Sequence, residues 1–167
     1  PRVSCWLSRE FMRLRIDFSY DGANYSGWAK QPGLHTVQGT LDVALATILR
    51  MDTIQSTVAG RTDAGVHATG QTAHIDVDVS VKPERLTRQL NSFLANDSIH
   101  VHRVAVAPPG FDARYSPIFR RYEYRVSDAV GNRDPRTRHF TLWIDHHLDI
   151  DLMNQAATSI LGLHDWT

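Results

Sequence analysis

Residues 53–79 read TIQSTVAGRTDAGVHATGQTAHIDVDV. Two strand-like stretches, TIQSTVAG (53–60) and QTAHIDVDV (71–79), bracket a middle that is poor in bulky side chains. In the second, Ala73, Ile75, Val77 and Val79 alternate with His74, Asp76 and Asp78, the two-residue period of a strand with one buried face. The pattern predicts an antiparallel hairpin with an enlarged connection. Upstream, RLRIDFSY (13–20) alternates in the same way, DGANYSGW supplies turn residues, and Val37, Leu41, Ala44, Leu45, Ile48 and Leu49 fall at helical intervals behind a Thr36 N-cap. Downstream, Pro83 suits a first helical turn, Leu86, Leu90, Phe93 and Leu94 continue a helical stripe, and IHVHRVAVA (99–107) is a further strand stopped by Pro108 and Pro109. The order over residues 13–108 is β-α-β-β-α-β, the split βαβ or ferredoxin-like pattern: an α+β unit with both helices on one face of an antiparallel sheet.

A second unit is expected over 109–167, with residues 1–12 an N-terminal extension. It holds a strand at FRRYEYRVSD (119–128), a polar loop at GNRDPRTRH (131–139), a short strand at TLWID (141–145), and a helix from Asp149 to Leu161 carrying Leu152, Met153, Ala156, Ala157 and Ile160 at helical spacing. So little sheet does not close an antiparallel unit, and the expectation is a longer natural chain whose 1–167 portion alone is weakly active and poorly stable.

With 42% hydrophobic and 22% charged residues, the 167-residue chain has the composition of an ordinary globular protein. No run of eighteen apolar residues offers a membrane span. A single cysteine, Cys5, precludes an intrachain disulfide and suits a reducing, cytoplasmic setting. The formal net charge is zero, yet residues 111–140 hold seven arginines against four acids, while 141–167 hold four acids and no Lys or Arg. The average thus hides a basic segment, which by itself reads as a solvated surface.

Within the enlarged connection, AGRTDAGVHATGQ (59–71), Gly and Ala leave room for a bulky ligand and for unusual backbone angles. Arg61 and Asp63 stand two apart. A guanidinium nearby favours an ionised carboxylate, and a positioned carboxylate can serve as nucleophile or general base. The motif GRTDAGVHATGQ resembles the signature of the TruA-type tRNA pseudouridine synthases. IDFSYDGANYSGWAKQ (16–31), FDARYSPIFRRYEYRV (111–126) and LGLHDWT (161–167) resemble further motifs of that family in the same order, so that the likeness spans about 13–167.

The resemblance implies isomerisation of uridine to pseudouridine in the anticodon stem-loop of tRNA, at positions 38, 39 and 40, with no cofactor and no metal. It implies two ferredoxin-like units with a joined antiparallel sheet, a homodimer that shares one tRNA, Asp63 as the catalytic carboxylate, Arg61 as its partner and Tyr122 as the aromatic group against the target base. The carboxylate acts at C1′, C6 or C2′; these stay open. An extruded base needs an aromatic wall and little water, in keeping with those residue types. With the RNA substrate so implied, Arg114, Arg120, Arg121 and Arg125 of the basic segment become candidate phosphate contacts. His67 reads as a loop-structuring residue and Trp28 as a neighbour of the loop base, while Asp76 and Asp78 read as a solvated strand face. The pairs His100/His102 and His146/His147 lack a third ligand in sequence. Two rivals remain: a non-catalytic ferredoxin-like RNA-binding module, and a metal-dependent hydrolase using Asp and His residues of 61–78.

Overall fold

The computed structural model describes residues 11–128 and 133–165. The N-terminal extension therefore lies almost wholly outside the described residues, as do the start of the 131–139 loop and the Trp166–Thr167 end of the LGLHDWT motif. The chain divides into two compact units, Pro1–Arg120 and Arg121–Thr167.

The first unit runs β1 (Phe11–Tyr20), α1 (Val37–Leu49), β2 (Thr57–Val58), β3 (Ala68–Asp78), α2 (Pro83–Phe93) and β4 (Ile99–Val106). These strands form one sheet in the order β2-β3-β1-β4, antiparallel at every junction. The strands β1 and β2, joined through α1, are thus parted by β3. Alternation decides the faces: Leu14, Ile16, Phe18 and Tyr20 of β1, Ala73, Ile75 and Val77 of β3, and Ile99, Val101 and Val104 of β4 are buried. They share one core with Val37, Leu41, Ala44 and Leu45 of α1 and Leu86 and Leu90 of α2. As expected, Thr36 caps α1, its Oγ1 accepting from the Gly39 amide at 3.2 Å, and Pro83 opens α2.

Three local expectations are corrected. Phe93 is exposed, because the buried stripe runs at four-residue steps through Leu86, Leu90 and Leu94, whose amide still bonds the Leu90 carbonyl, and Phe93 falls beside it. Val79 is also exposed, since β3 ends at Asp78 and the bend that follows has no partner strand. On the supposedly solvated side of β3, His74 is buried, because residues 107–116 fold back over that face. The strand predicted at 53–60 contracts to Thr57–Val58, and β3 begins at Ala68, which narrows the connection to 59–67. Among the described residues no helix is long and apolar enough to cross a membrane.

In the second unit, β5 (Val126–Ser127) pairs with β6 (Leu142–Trp143), a 3₁₀ turn covers Pro135–Thr137, and α3 spans Ile150–Thr158. The pairing is parallel, not antiparallel as expected. The connection 128–141 is long enough for this, since parallel neighbours need a crossover of about a dozen residues. The strand expected over 119–128 shrinks to two residues: the pairing with β6 begins where the Arg125 carbonyl accepts from the Leu142 amide at 2.8 Å, and the exposed residues before it take part in no ladder among the described residues. Asp149 caps α3, accepting from the Leu152 amide at 3.0 Å. The apolar stripe of α3, Leu152 and Met153 included, stays exposed, for two-residue strands present no face to cover it.

Candidate active site

The connection 59–67 is held from beneath by residues 20–28, the turn that follows β1. Here DGANYSGW brings backbone against backbone. The Trp28 amide donates to the Thr62 carbonyl at 2.9 Å and the Gly65 amide to the Tyr25 carbonyl at 3.2 Å. The Tyr20 hydroxyl lies 2.7 Å from Thr62 Oγ1. The rings behind these contacts are core: Trp28, Tyr25 and Tyr20 are buried, with Trp28 tilted on Phe18 at 5.8 Å. Two glycines permit the approach. A Cβ on Gly22 would stand 2.0 Å from the Val66 carbonyl oxygen, and one on Gly27 (φ +88°) would stand 3.0 Å from the Thr62 carbonyl oxygen and 3.3 Å from the Asp63 carbonyl carbon. The loop closes on itself through the Val66 amide on the Asp63 carbonyl, 3.2 Å.

The side chains of Arg61 and Asp63 project from this anchored backbone and are exposed. No ion pair joins them among the described residues. His67 sits at the loop's exit, its Nδ1 2.9 Å from Asp21 Oδ1 and 3.3 Å from the Gly22 amide, which ties the loop to the 20–28 turn. Gln71 donates from Nε2 to the Gly60 carbonyl at 2.9 Å, holding the other end. Both termini of the loop and its middle are therefore fixed, while its two charged side chains face solvent. Fixed backbone beneath an exposed carboxylate is what a reacting group needs, because misplacement by about 1 Å costs rate heavily.

The strap 107–120 completes the unit. Asp112 organises a tight turn, accepting from the amides of Arg114 (2.8 Å) and Tyr115 (3.3 Å), while its own amide donates to Ser116 Oγ at 2.9 Å. Arg13 Nη1 donates to the Phe111 carbonyl at 2.9 Å, and the Arg15 guanidinium lies over the Phe111 ring at 5.7 Å. At the far end the Arg120 guanidinium donates to the carbonyl of Ala59, the first residue of the Asp63 connection, through both Nε and Nη2. The Arg114 guanidinium lies over the Tyr115 ring at 5.4 Å. Among the described residues neither Arg114 nor Arg120 forms an ion pair with a carboxylate.

The other sequence-predicted residues belong to the second unit. Tyr122 is 67% exposed. Arg121 and Arg125 flank one carboxylate, Glu123, at 3.2 and 3.1 Å, which offsets part of the local positive charge. His146 and His147 each face a carboxylate, Asp145 at 3.4 Å and Asp128 at 3.2 Å. The His100 and His102 rings are 5.3 Å apart, and among the described residues no group of three His, Cys, Asp or Glu is placed to hold a metal ion. Asp76 is bound by both nitrogens of an Arg13 fork, 2.7 and 2.8 Å, and that bond holds its carboxyl below the usual carboxylate range.

Sequence reading missed two supports. Gln38 joins segments, its Oε1 accepting from the Lys30 amide (3.0 Å) and its Nε2 donating to the Ser56 carbonyl (2.9 Å). Buried Asp42 accepts from both the amide (3.0 Å) and the hydroxyl (2.7 Å) of Ser56, just before β2; burial pushes its carboxyl up despite these bonds. A polar residue on the apolar side of α1 was the available signal, since a buried carboxylate needs donors.

Residues 18–116 match the family model described as tRNA pseudouridine synthase. The chain belongs to that family. The match covers the whole of the Asp63 connection, its supporting turn and the Phe111–Ser116 turn. A tRNA pseudouridine synthase A of Leifsonia xyli subsp. xyli is 46% identical over 178 residues, taking in 96% of this chain and 62% of that protein. The protein of the same name from Streptomyces griseus subsp. griseus is 51% identical over 160 residues (93% and 56%), and that of Bifidobacterium longum strain DJO10A is 48% identical over 171 residues (92% and 56%). The chain thus spans somewhat over half the length of these tRNA pseudouridine synthase relatives.

Proposed function

We propose that this protein converts uridine to pseudouridine in tRNA, acting on positions 38–40 of the anticodon stem-loop. The N1–C1′ bond breaks, a C5–C1′ bond forms, the C5 proton leaves to solvent and N1 regains a proton, so substrate and product are isomers and no cofactor is consumed. Asp63 is the catalytic carboxylate. Arg61 accompanies it and engages the substrate, Tyr122 stacks on the extruded base, and Arg114, Arg120, Arg121 and Arg125 meet the phosphate backbone. The reading includes a ferredoxin-like first unit, a second unit of the same kind, a homodimer and a cytoplasmic setting.

The observation that carries this reading is the loop itself: an exposed Asp63 on a backbone clamped by Trp28, Tyr25 and Gly22, in a segment matched to the family. Tritium release from a tRNA transcript carrying [5-³H]uridine tests it on the full protein. Asp63→Asn is expected to lose release by about 10²- to 10⁴-fold while still binding tRNA, the range over which a positioned acid–base or nucleophilic group acts. No release from wild-type protein that binds tRNA well would favour a non-catalytic RNA-binding module instead.

A further inference from the structure

We infer that His74 is a positioning residue for RNA binding: it accepts the Ala113 amide on Nδ1, pins the Phe111–Ser116 turn to the sheet, and so sets where Arg114 and Arg120 meet the RNA backbone. The inference rests on the proposed reading of this protein as a tRNA-binding enzyme and adds a residue that the sequence placed on a solvated face.

His74 is 5% exposed and lies in the middle of β3, with Arg15 of β1 and Thr57 of β2 as its cross-strand neighbours. The Ala113 amide donates to its Nδ1 at 2.9 Å, and Ala113 itself is fully buried. That bond dictates the tautomer: Nδ1 carries a lone pair, so the proton of the neutral ring sits on Nε2, 4.0 Å from Asp112 Oδ2. The Phe111 ring meets the imidazole edge-on at 6.3 Å. The turn is therefore attached to the sheet by one imidazole acceptor, by the Arg13 guanidinium on the Phe111 carbonyl, and by the Arg15–Phe111 stack. Only a short stretch separates it from Arg120, which closes the strap on Ala59 at the root of the Asp63 loop. Moving the turn displaces Arg114 directly and pulls on Arg120, whose Nη2 also contacts the Arg114 carbonyl at 3.5 Å.

Protonation would place an N–H on Nδ1 against the Ala113 N–H, donor against donor, and the bond would be lost. The surroundings oppose that charge. Burial first and the Arg13 cation second hold the imidazole below its ordinary value of 6.5, while Asp112 and Asp76 pull the other way and do not prevail. Arg15, opposite on β1, is paired with Asp17 at 2.8 Å, and Thr57 on β2 is uncharged. At neutral pH the acceptor is present; it is withdrawn as pH falls through the lowered value.

The test compares wild type, His74→Asn and His74→Leu in the full protein, by tRNA binding across an acidic pH series and by amide exchange at Ala113. Asparagine keeps an acceptor near the Nδ1 position and does not titrate. Wild-type Kd is expected to rise about tenfold on acidification, the scale of one lost buried hydrogen bond. His74→Asn is expected to lack that acid limb and to keep Ala113 protected. His74→Leu should bind about tenfold more weakly at neutral pH and leave the Ala113 amide exchanging freely. The inference is overturned if His74→Asn keeps the wild-type acid limb, or if His74→Leu binds as wild type does. Should His74→Leu fail to fold, the wild-type and Asn profiles decide alone. Neither readout needs turnover, so absent tritium release with an intact His74-dependent limb would count against the isomerase reading and not against His74.

Discussion

Replacing Gly22 with alanine tests whether the position of Asp63 is set by the close approach of two backbones. The added methyl carbon would start 2.0 Å from the Val66 carbonyl oxygen and 2.6 Å from the carbonyl carbon, whereas ordinary van der Waals contact begins at 3.4 Å. Both neighbours are main chain, so no side chain can swing aside, and one of the two segments must retreat by about 1.4 Å. Val66 is three residues from Asp63 and its amide bonds the Asp63 carbonyl, so the retreat is passed to the carboxylate. Gly22 has a negative φ, and backbone strain at the substituted residue adds nothing. The expected outcome is a fall of about 10²-fold in kcat, read by tritium release, with a stability loss of about 1–3 kcal/mol by denaturant unfolding. Gly70→Ala is the control, since its Cβ meets nothing within 4 Å; it should match or slightly exceed wild type in stability. A Gly22→Ala protein with kcat within about threefold of wild type would refute the idea that this contact places the Asp63 loop for the proposed reaction.

Removing the Asp42 carboxylate with alanine should cost about 1–3 kcal/mol in unfolding free energy, because the Ser56 amide and hydroxyl lose their shared acceptor in the interior. Asp42 titrates in the fold above its ordinary 3.8, so it favours folding most below that value and this contribution fades as pH rises through the raised one; a stability–pH profile of Asp42→Asn should lack that decline. Asp76 has the opposite sign: its value is lowered by Arg13, so its contribution is present above 3.8 and is lost as pH falls through the lowered value. Both partners are substantially exposed, and Asp76→Asn should cost less than about 1 kcal/mol at pH 7 in thermal unfolding. Tyr20→Phe deletes the hydroxyl contact to Thr62 and should cost about 0.5–1.5 kcal/mol in stability with a few-fold drop in tritium release.

The periodicities that predict β1, α1, β3, α2 and β4 are local, and the structure returns all five within a few residues at their ends. Leu14, Ile16, Phe18 and Tyr20 could be assigned to one buried face because a strand's side chains alternate whatever lies around them. Asp63 stood out through the resemblance of GRTDAGVHATGQ to a family motif, since an Arg/Asp pair two residues apart is by its spacing alone as well suited to tying down a loop. His74 was not legible: its alternation is that of a solvated residue, and only the return of 107–116 across the sheet buries it. The clamp by Gly22 and Gly27 was hidden for the same reason, because it joins residues about forty positions apart whose spacing carries no period. In the second unit an alternating stretch at 119–128 formed only two residues of strand, since a strand needs a neighbour to accept and donate its backbone bonds. By itself, then, the sequence determined the elements of the first unit and most of their buried faces, which are written in local spacing, while the resemblance of its GRTDAGVHATGQ motif singled out the residue proposed to carry the chemistry. The β2–β3 hairpin was also legible, but the tertiary structure alone decided that β1 lies between β3 and β4, what covers the polar face of the sheet and which backbone contacts hold the Asp63 connection, because those depend on contacts between segments distant in the chain.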